Sequence, residues 1–145
     1  MRFYTFVPKG VYHPYHFYTF FQNNGVLNGE YEHAIIDTGV GLLFHHRNMK
    51  DYPPYFLIRY EKYAKWLTSK LGMEKVSFVI PDYPADYHQG KCKSAENNVD
   101  RTIENIKRFI TIDGVDWIPV IQSPYMDIEG FRESCKKTKG VIGDY

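Results

Sequence analysis

The chain has only two cysteines, Cys92 and Cys135, among its 145 residues. That is too few for a cysteine metal cluster and unlike a disulfide framework, so the expected compartment is reducing, intracellular and cytoplasmic. No apolar run approaches the roughly 20 residues that span a bilayer. The opening MRFYTFVPKG has one early Arg and no apolar core, which argues against a signal peptide. Charge of one sign is missing as well: 18 basic against 17 acidic side chains leave a formal charge of +1, which argues against a uniformly basic, nucleic-acid-coating surface. No P-loop, GxGxxG or nucleophile elbow occurs. Internal repeats and low-complexity tracts are absent too.

Aromatic residues are abundant. Thirteen Tyr, ten Phe and two Trp make up 17% of the chain, and 43% of it is hydrophobic. Such side chains bury much area and also offer faces on which bases stack. At about 100–200 residues per domain, residues 1–145 read as one domain with a genuine core.

Residues 1–32 form an irregular or β N-terminal segment. Arg2 to Val7 reads as a strand ended by Pro8-Lys9-Gly10, and Asn23-Asn24-Gly25 and Asn28-Gly29 are turn signals. Beyond His33 the rhythm is regular. Ala34-Ile35-Ile36 reads as a buried strand that stops at Asp37-Thr38-Gly39. Leu57, Tyr60, Tyr63, Ala64, Leu67 and Leu71 recur at helical spacing, and Gly72 follows as a stop. Val76 to Ile80 is the next strand, closed by Pro81-Asp82-Tyr83-Pro84. A polar stretch from Ala85 to Asn98 leads to a helix with Val99, Ile103, Ile106, Phe109 and Ile110 on one face. Trp117 to Ile121 is a third strand, weakened by Pro119. Ile128, Phe131 and Cys135 mark a third helix stopped near Gly140, and Val141-Ile142 opens a fourth strand. Strands that alternate with helices predict an α/β fold of parallel βα units.

In such folds reactive groups collect at the carboxyl ends of strands. Asp37, Asp82, Gln122 and Gly143-Asp144 follow the four expected strands. Each Asp taken alone is an ordinary turn former or helix cap. Together they outline a rim with a carboxylate pair for acid–base or nucleophilic work, a carboxamide that reads a base edge, and a glycine that lets a flat ligand approach.

The run FVIPDYPADYHQG, then NNVDRTIENIKRF, WIPVIQ and VIG, resembles the tRNA-guanine transglycosylase superfamily, closest to its phage-type and DNA-modifying relatives. The resemblance spans Ile35 to Asp144 and implies the N-terminal half of a TIM-type barrel. IIDTG is similar to the family's Asp-Ser-Gly-Gly motif, which implies that Asp37 is the active-site carboxylate. Asp82 in IPDYP matches the Asp that recognises the purine edge, Gln122 in PVIQ the base-binding Gln, and Gly143 the glycine whose backbone contacts the base. The implied ligand is guanine or a 7-deazaguanine, presented in tRNA or DNA, with no cofactor. The family's nucleophilic Asp and its zinc site lie beyond the part that is matched, and a complete barrel needs roughly 200–250 residues. The resemblance therefore implies a homodimer or a complementing C-terminal half, with an open sheet edge at Val141-Ile142, and no base exchange by these 145 residues alone.

Two other classes compete. One is a glycosidase- or nucleosidase-like hydrolase that uses Asp37 and Asp82 as its pair. The other is a non-catalytic interaction protein on a half barrel. His13 and His16, and the adjacent His45 and His46, lack a third metal ligand and read as packed or exposed histidines, so no metal is expected. Cys92 reads as a loop thiol and Cys135 as a core thiol. Lys91, Lys93, Arg101, Lys107 and Arg108 form a basic segment, either a phosphate contact or a solvated helix face.

Overall fold

The structure is a computed structural model that describes residues 2–7, 11–23, 25–47, 49–84, 95–123 and 127–143. The turn expected at Pro8-Lys9-Gly10, Asn24 of the Asn-Asn-Gly turn, Lys91, Cys92, Lys93 and most of the polar stretch after Ala85, and Asp144 lie outside the described residues, as do the side chains of His45 and His46.

The fold is α/β: four parallel strands in the order β1-β2-β3-β4, built from βα units in the manner of a partial TIM-type barrel. Contacts divide the chain into two compact units, one of residues 1–39, 53–79 and 113–118, the other of residues 40–52, 80–112 and 119–145.

The first unit holds the sheet. β1 is Tyr15–Thr19, β2 His33–Asp37, β3 Val76–Val79 and β4 Asp116–Ile118. Parallel register aligns His16 with Ala34 and Val76, and Tyr18 with Ile36, Phe78 and Trp117. Strand side chains alternate between faces, so these residues share one face. Helix α1, Phe56–Leu71, belongs to the same unit and buries Phe56, Tyr60, Ala64 and Leu67. Tyr60 and Tyr63 meet Phe78 with ring centroids 6.2 and 6.3 Å apart. The fully buried Tyr60 also aims its hydroxyl at the carbonyls of Ile36 (2.9 Å) and Val79 (3.0 Å), so one side chain joins the ends of β2 and β3. Gly72, at φ 92°, ends α1 where only glycine is unstrained.

The second unit holds a π-helical segment, Gly41–His46, and the helices α2, Ala95–Ile110, and α3, Ile128–Ile142, which pack on one another. Lys137 of α3 pairs with Asp100 of α2 at 3.2 Å.

Several expectations are corrected. Val141-Ile142 is not a strand but the last turn of α3. The helix runs through Gly140, where a side chain would meet open space, and ends at Gly143, whose φ of 72° supplies the left-handed cap. No sheet edge lies there, and among the described residues the outermost strands are β1 and β4. Arg2 to Val7 makes one parallel bridge, Thr5 to His16, and no strand. The fourth strand is instead β1, which pairs with β2 without a helix between them. β4 stops at Ile118, because Pro119 has no N–H for the ladder. On α3 the buried residues are Ser134 and Thr138; Ile128 and Phe131 are exposed and Cys135 is half-buried.

Among the described residues no helix is long and apolar enough to cross a membrane.

A candidate base-binding site

The loop after β3, Pro81-Asp82-Tyr83-Pro84, is buried throughout. Its two prolines have no N–H, and a buried carbonyl without a donor costs about 1–3 kcal/mol. All four of its carbonyls accept from side chains of the second unit. Asn105 Nδ2 donates to Pro81 O at 2.7 Å and the Tyr52 hydroxyl to Asp82 O at 2.7 Å. The Thr102 hydroxyl reaches Tyr83 O at 3.3 Å and Asn98 Nδ2 reaches Pro84 O at 2.8 Å. Thr102 Oγ1 also accepts from Tyr83 N at 2.8 Å. Asn98, Thr102 and Asn105 stand at helical spacing on α2, so one helix face carries the clamp.

What the clamp positions is the Asp82 side chain. The residue is 3% exposed, and Oδ2 of its carboxyl accepts a short hydrogen bond from Gln122 Nε2. The structure thus brings Asp82 and Gln122 together. A carboxylate only accepts, while a carboxamide both donates and accepts. Side by side they match a heterocycle edge that carries N–H donors beside a carbonyl.

Around the loop the aromatic rings of Phe44, Tyr52 and Tyr83 meet pairwise at 5.1 to 5.8 Å. Arg101 lies 3.6 Å over the Tyr83 ring and forms an ion pair with Asp51 at 2.8 Å. The Tyr83 hydroxyl donates to the same carboxylate at 2.9 Å. Burial, and after it the bond to Asp51, pushes that hydroxyl up to about 12. Arg101 is therefore engaged in fixing the loop, while Lys107 pairs with Glu104 at 2.6 Å along the helix surface.

Asp37 belongs to the first unit, at the carboxyl end of β2. Gly39 N donates to its Oδ2 at 2.7 Å, and Phe20 N donates to its backbone carbonyl at 2.7 Å. Burial raises its carboxyl above the usual value, against the opposing pull of the Gly39 and Thr38 amides. The neighbouring Thr38 is fully buried, and its hydroxyl has no partner among the described residues. Gly143 is the cap of α3 in the second unit.

The residues that composition and spacing did not single out are Tyr52, Asn98, Thr102 and Asn105. The last three are polar residues at i, i+4 and i+7, the pattern of a solvated helix face; their proximity to a proline-bounded loop was the one available signal. His13 and His16 are committed locally, His13 Nδ1 to the backbone of Tyr15 at 2.8 Å and His16 Nδ1 to the Tyr18 hydroxyl at 2.8 Å. Among the described residues no three His, Cys, Asp or Glu side chains are grouped to hold a metal.

No family model matches this chain, and neither a curated protein nor a solved structure is significantly similar to it.

Proposed function

We propose that this protein is a transglycosylase-like base-binding domain that takes guanine or a 7-deazaguanine through Asp82 and Gln122. The observation that carries the reading is the buried Asp82, bonded to the half-buried Gln122, on a loop whose four carbonyls are all tied down by side chains. The order of the matching motifs along the sequence adds to it. In the bound complex the N1–H and amino group of the base replace the Gln122 amide on the Asp82 carboxylate, and the released amide donates to the base carbonyl. A loop fixed before binding loses little entropy on binding. Asp37, with a carboxyl raised by burial, is the residue proposed for proton transfer in an exchange reaction. That reaction needs a nucleophile from outside these 145 residues, supplied by a complementing half, with tRNA or DNA as the polymer.

Calorimetric titration with guanine and 7-deazaguanine tests this. Saturable binding by the wild type, lost in Asp82→Ala and weakened in Gln122→Ala while circular dichroism shows both folded, is expected. Folded wild-type protein that binds neither base overturns the reading and favours an interaction module. Incorporation of labelled guanine into tRNA or DNA by the 145-residue chain alone would show that it carries its own nucleophile.

A further inference from the structure

Helix α1 has two faces of different chemistry. Phe56, Tyr60, Ala64 and Leu67 are its buried face. Its outer line runs Tyr55, Arg59, Lys62, Trp66 and Lys70, at steps of four, three, four and four residues, which is the spacing of one stripe on a helix. All five are exposed, Tyr55 at 75% and Trp66 at 44%, and Ile58 beside them is exposed as well. At 1.5 Å per residue the stripe is about 22 Å long.

Two features of this stripe go beyond what a solvated helix face needs. The first is charge. Residues 55–75 carry five basic and two acidic side chains, whereas the other 124 residues carry 13 basic and 15 acidic ones. A chain of nearly balanced charge therefore gathers its positive excess on one helix. Lys65 is paired with Glu61 at 2.8 Å, but Arg59, Lys62 and Lys70 form no ion pair among the described residues. The second feature is the rings. Trp66 rests on the Tyr63 ring at 5.9 Å and still shows almost half of its surface to water. Tyr55 stands in water at φ 61°, a conformation that glycine would hold without strain.

We propose that the outer stripe of α1 is a docking surface for single-stranded nucleic acid, with Arg59, Lys62 and Lys70 on phosphates and Tyr55 and Trp66 against bases. Unpaired cations set between exposed rings complement a polymer that alternates phosphates with flat bases. An anionic membrane asks for another arrangement, with apolar side chains gathered on one face and cations on the other. Here the two rings are eleven residues apart, with Arg59 and Lys62 between them. The contact reads no sequence, since cations meet the backbone and every base has a face to stack. The stripe belongs to the first unit and goes beyond the Asp82–Gln122 reading, which concerns the second.

Titration of the full chain with labelled oligo(dT), which contains no guanine, tests the surface by anisotropy and by tryptophan fluorescence. Of the two tryptophans Trp117 is buried, so quenching at saturation reports on Trp66. Three phosphate contacts should make log K fall against log salt with a slope of about −2. Trp66→Ala should weaken binding at least about fivefold, the low end for one stacked base. Replacing Arg59, Lys62 and Lys70 together by Gln should abolish binding, whereas Lys136→Gln, on α3, should leave it unchanged. Asp82→Ala should bind oligo(dT) as the wild type does, so that failure of the base-binding reading and failure of this one are told apart. Circular dichroism reports whether each variant is folded, and the triple Gln variant, confined to exposed residues, decides the matter if Trp66→Ala does not fold. No saturable binding up to about 100 μM, or binding indifferent to the triple substitution or to a folded Trp66→Ala, would overturn the proposal. Equally tight binding of poly-glutamate, or binding of phosphatidylserine vesicles in place of the oligonucleotide, would overturn it too.

Discussion

Two turns that follow strands of this sheet hold an aspartate, and they hold it by different means. After β2, Asp37 is bound by its own neighbourhood: the amides of Thr38 and Gly39 close on its carboxylate, with Gly39 at φ 78°. After β3, Asp82 is bound from a distance, with the loop carbonyls held by Tyr52, Asn98, Thr102 and Asn105 and the carboxyl by Gln122. A carboxylate satisfied by its own backbone belongs to a self-sufficient turn. One that takes its donor from a side chain keeps a donor that a ligand can exchange. The contrast is why the proposed function places recognition on the Asp82 loop, and it leaves Asp37 as a carboxyl raised by burial.

The largest effect expected sets the sheet unit apart. Phe78 is fully buried against Tyr60, Tyr63 and Trp117, and Phe78→Ala should cost about 3–5 kcal/mol in urea unfolding. A smaller loss from Phe78→Ala than from removal of one clamp bond would mean that packing is not what holds this unit.

In the clamp, Asn105→Leu keeps the volume but strands the Pro81 carbonyl. A loss of about 1–3 kcal/mol is expected, together with weaker guanine binding and faster local exchange at Tyr83 N. Thr102→Val should act likewise, because it strips both backbone groups of Tyr83, and Thr102→Ser should restore them. If Thr102→Ser leaves binding as weak as Thr102→Val does, the loop is not positioned by that hydroxyl.

The Asp37 turn answers to pH. Its carboxyl is raised in the folded state above the ordinary 3.8, so between these two values the folded protein binds more protons than the unfolded chain. Asp37 therefore favours folding below 3.8, and that contribution is lost as pH rises through the folded value. His16 and His33 are lowered, first of all by burial, and act in the opposite sense: their contribution is present above 6.5 and fades as pH falls toward their folded values. Unfolding free energies from acid to neutral pH should show Asp37→Asn removing the first slope and leaving the second. A slope unchanged in Asp37→Asn would assign it elsewhere.

The smallest effect concerns Tyr55, which sits at φ 61° before α1 and is 75% exposed. A left-handed conformation costs a non-glycine residue about 1–2 kcal/mol, partly offset by the larger unfolded-state freedom of glycine. Tyr55→Gly should raise stability by about 0.5 kcal/mol in chemical denaturation, and a loss would show that the ring contributes packing.

Much of this was legible from residue order. The helix from Tyr55 to Leu71 and its stop at Gly72, the strands around Ile35 and Phe78, the helix that ends at Ile110 and the places of Asp37 at the end of β2 and Asp82 after β3 all rest on local rules: apolar period, strand propensity and turn chemistry. β1 was less legible, since its sequence YHFYT carries aromatic and polar side chains on both faces and owes its place to pairing with β2. Val141-Ile142 misled because two β-branched residues beyond a glycine resemble a strand opening, whereas Gly140 sits in open space and lets α3 continue to Gly143.

By itself, then, the sequence determined the parallel α/β class, the periodic helices and strands, and which carboxylates follow which strand, because those follow from neighbours within a few residues along the chain. Only the tertiary structure decided that Asn98, Thr102 and Asn105 turn inward, that Arg101 lies on Tyr83 instead of in water, and that Asp82 meets Gln122. The physical reason lies in the loop itself. Bounded by two prolines and buried, it has four carbonyls that neither a helix nor a strand of its own could satisfy. Their donors had to come from residues far away in sequence.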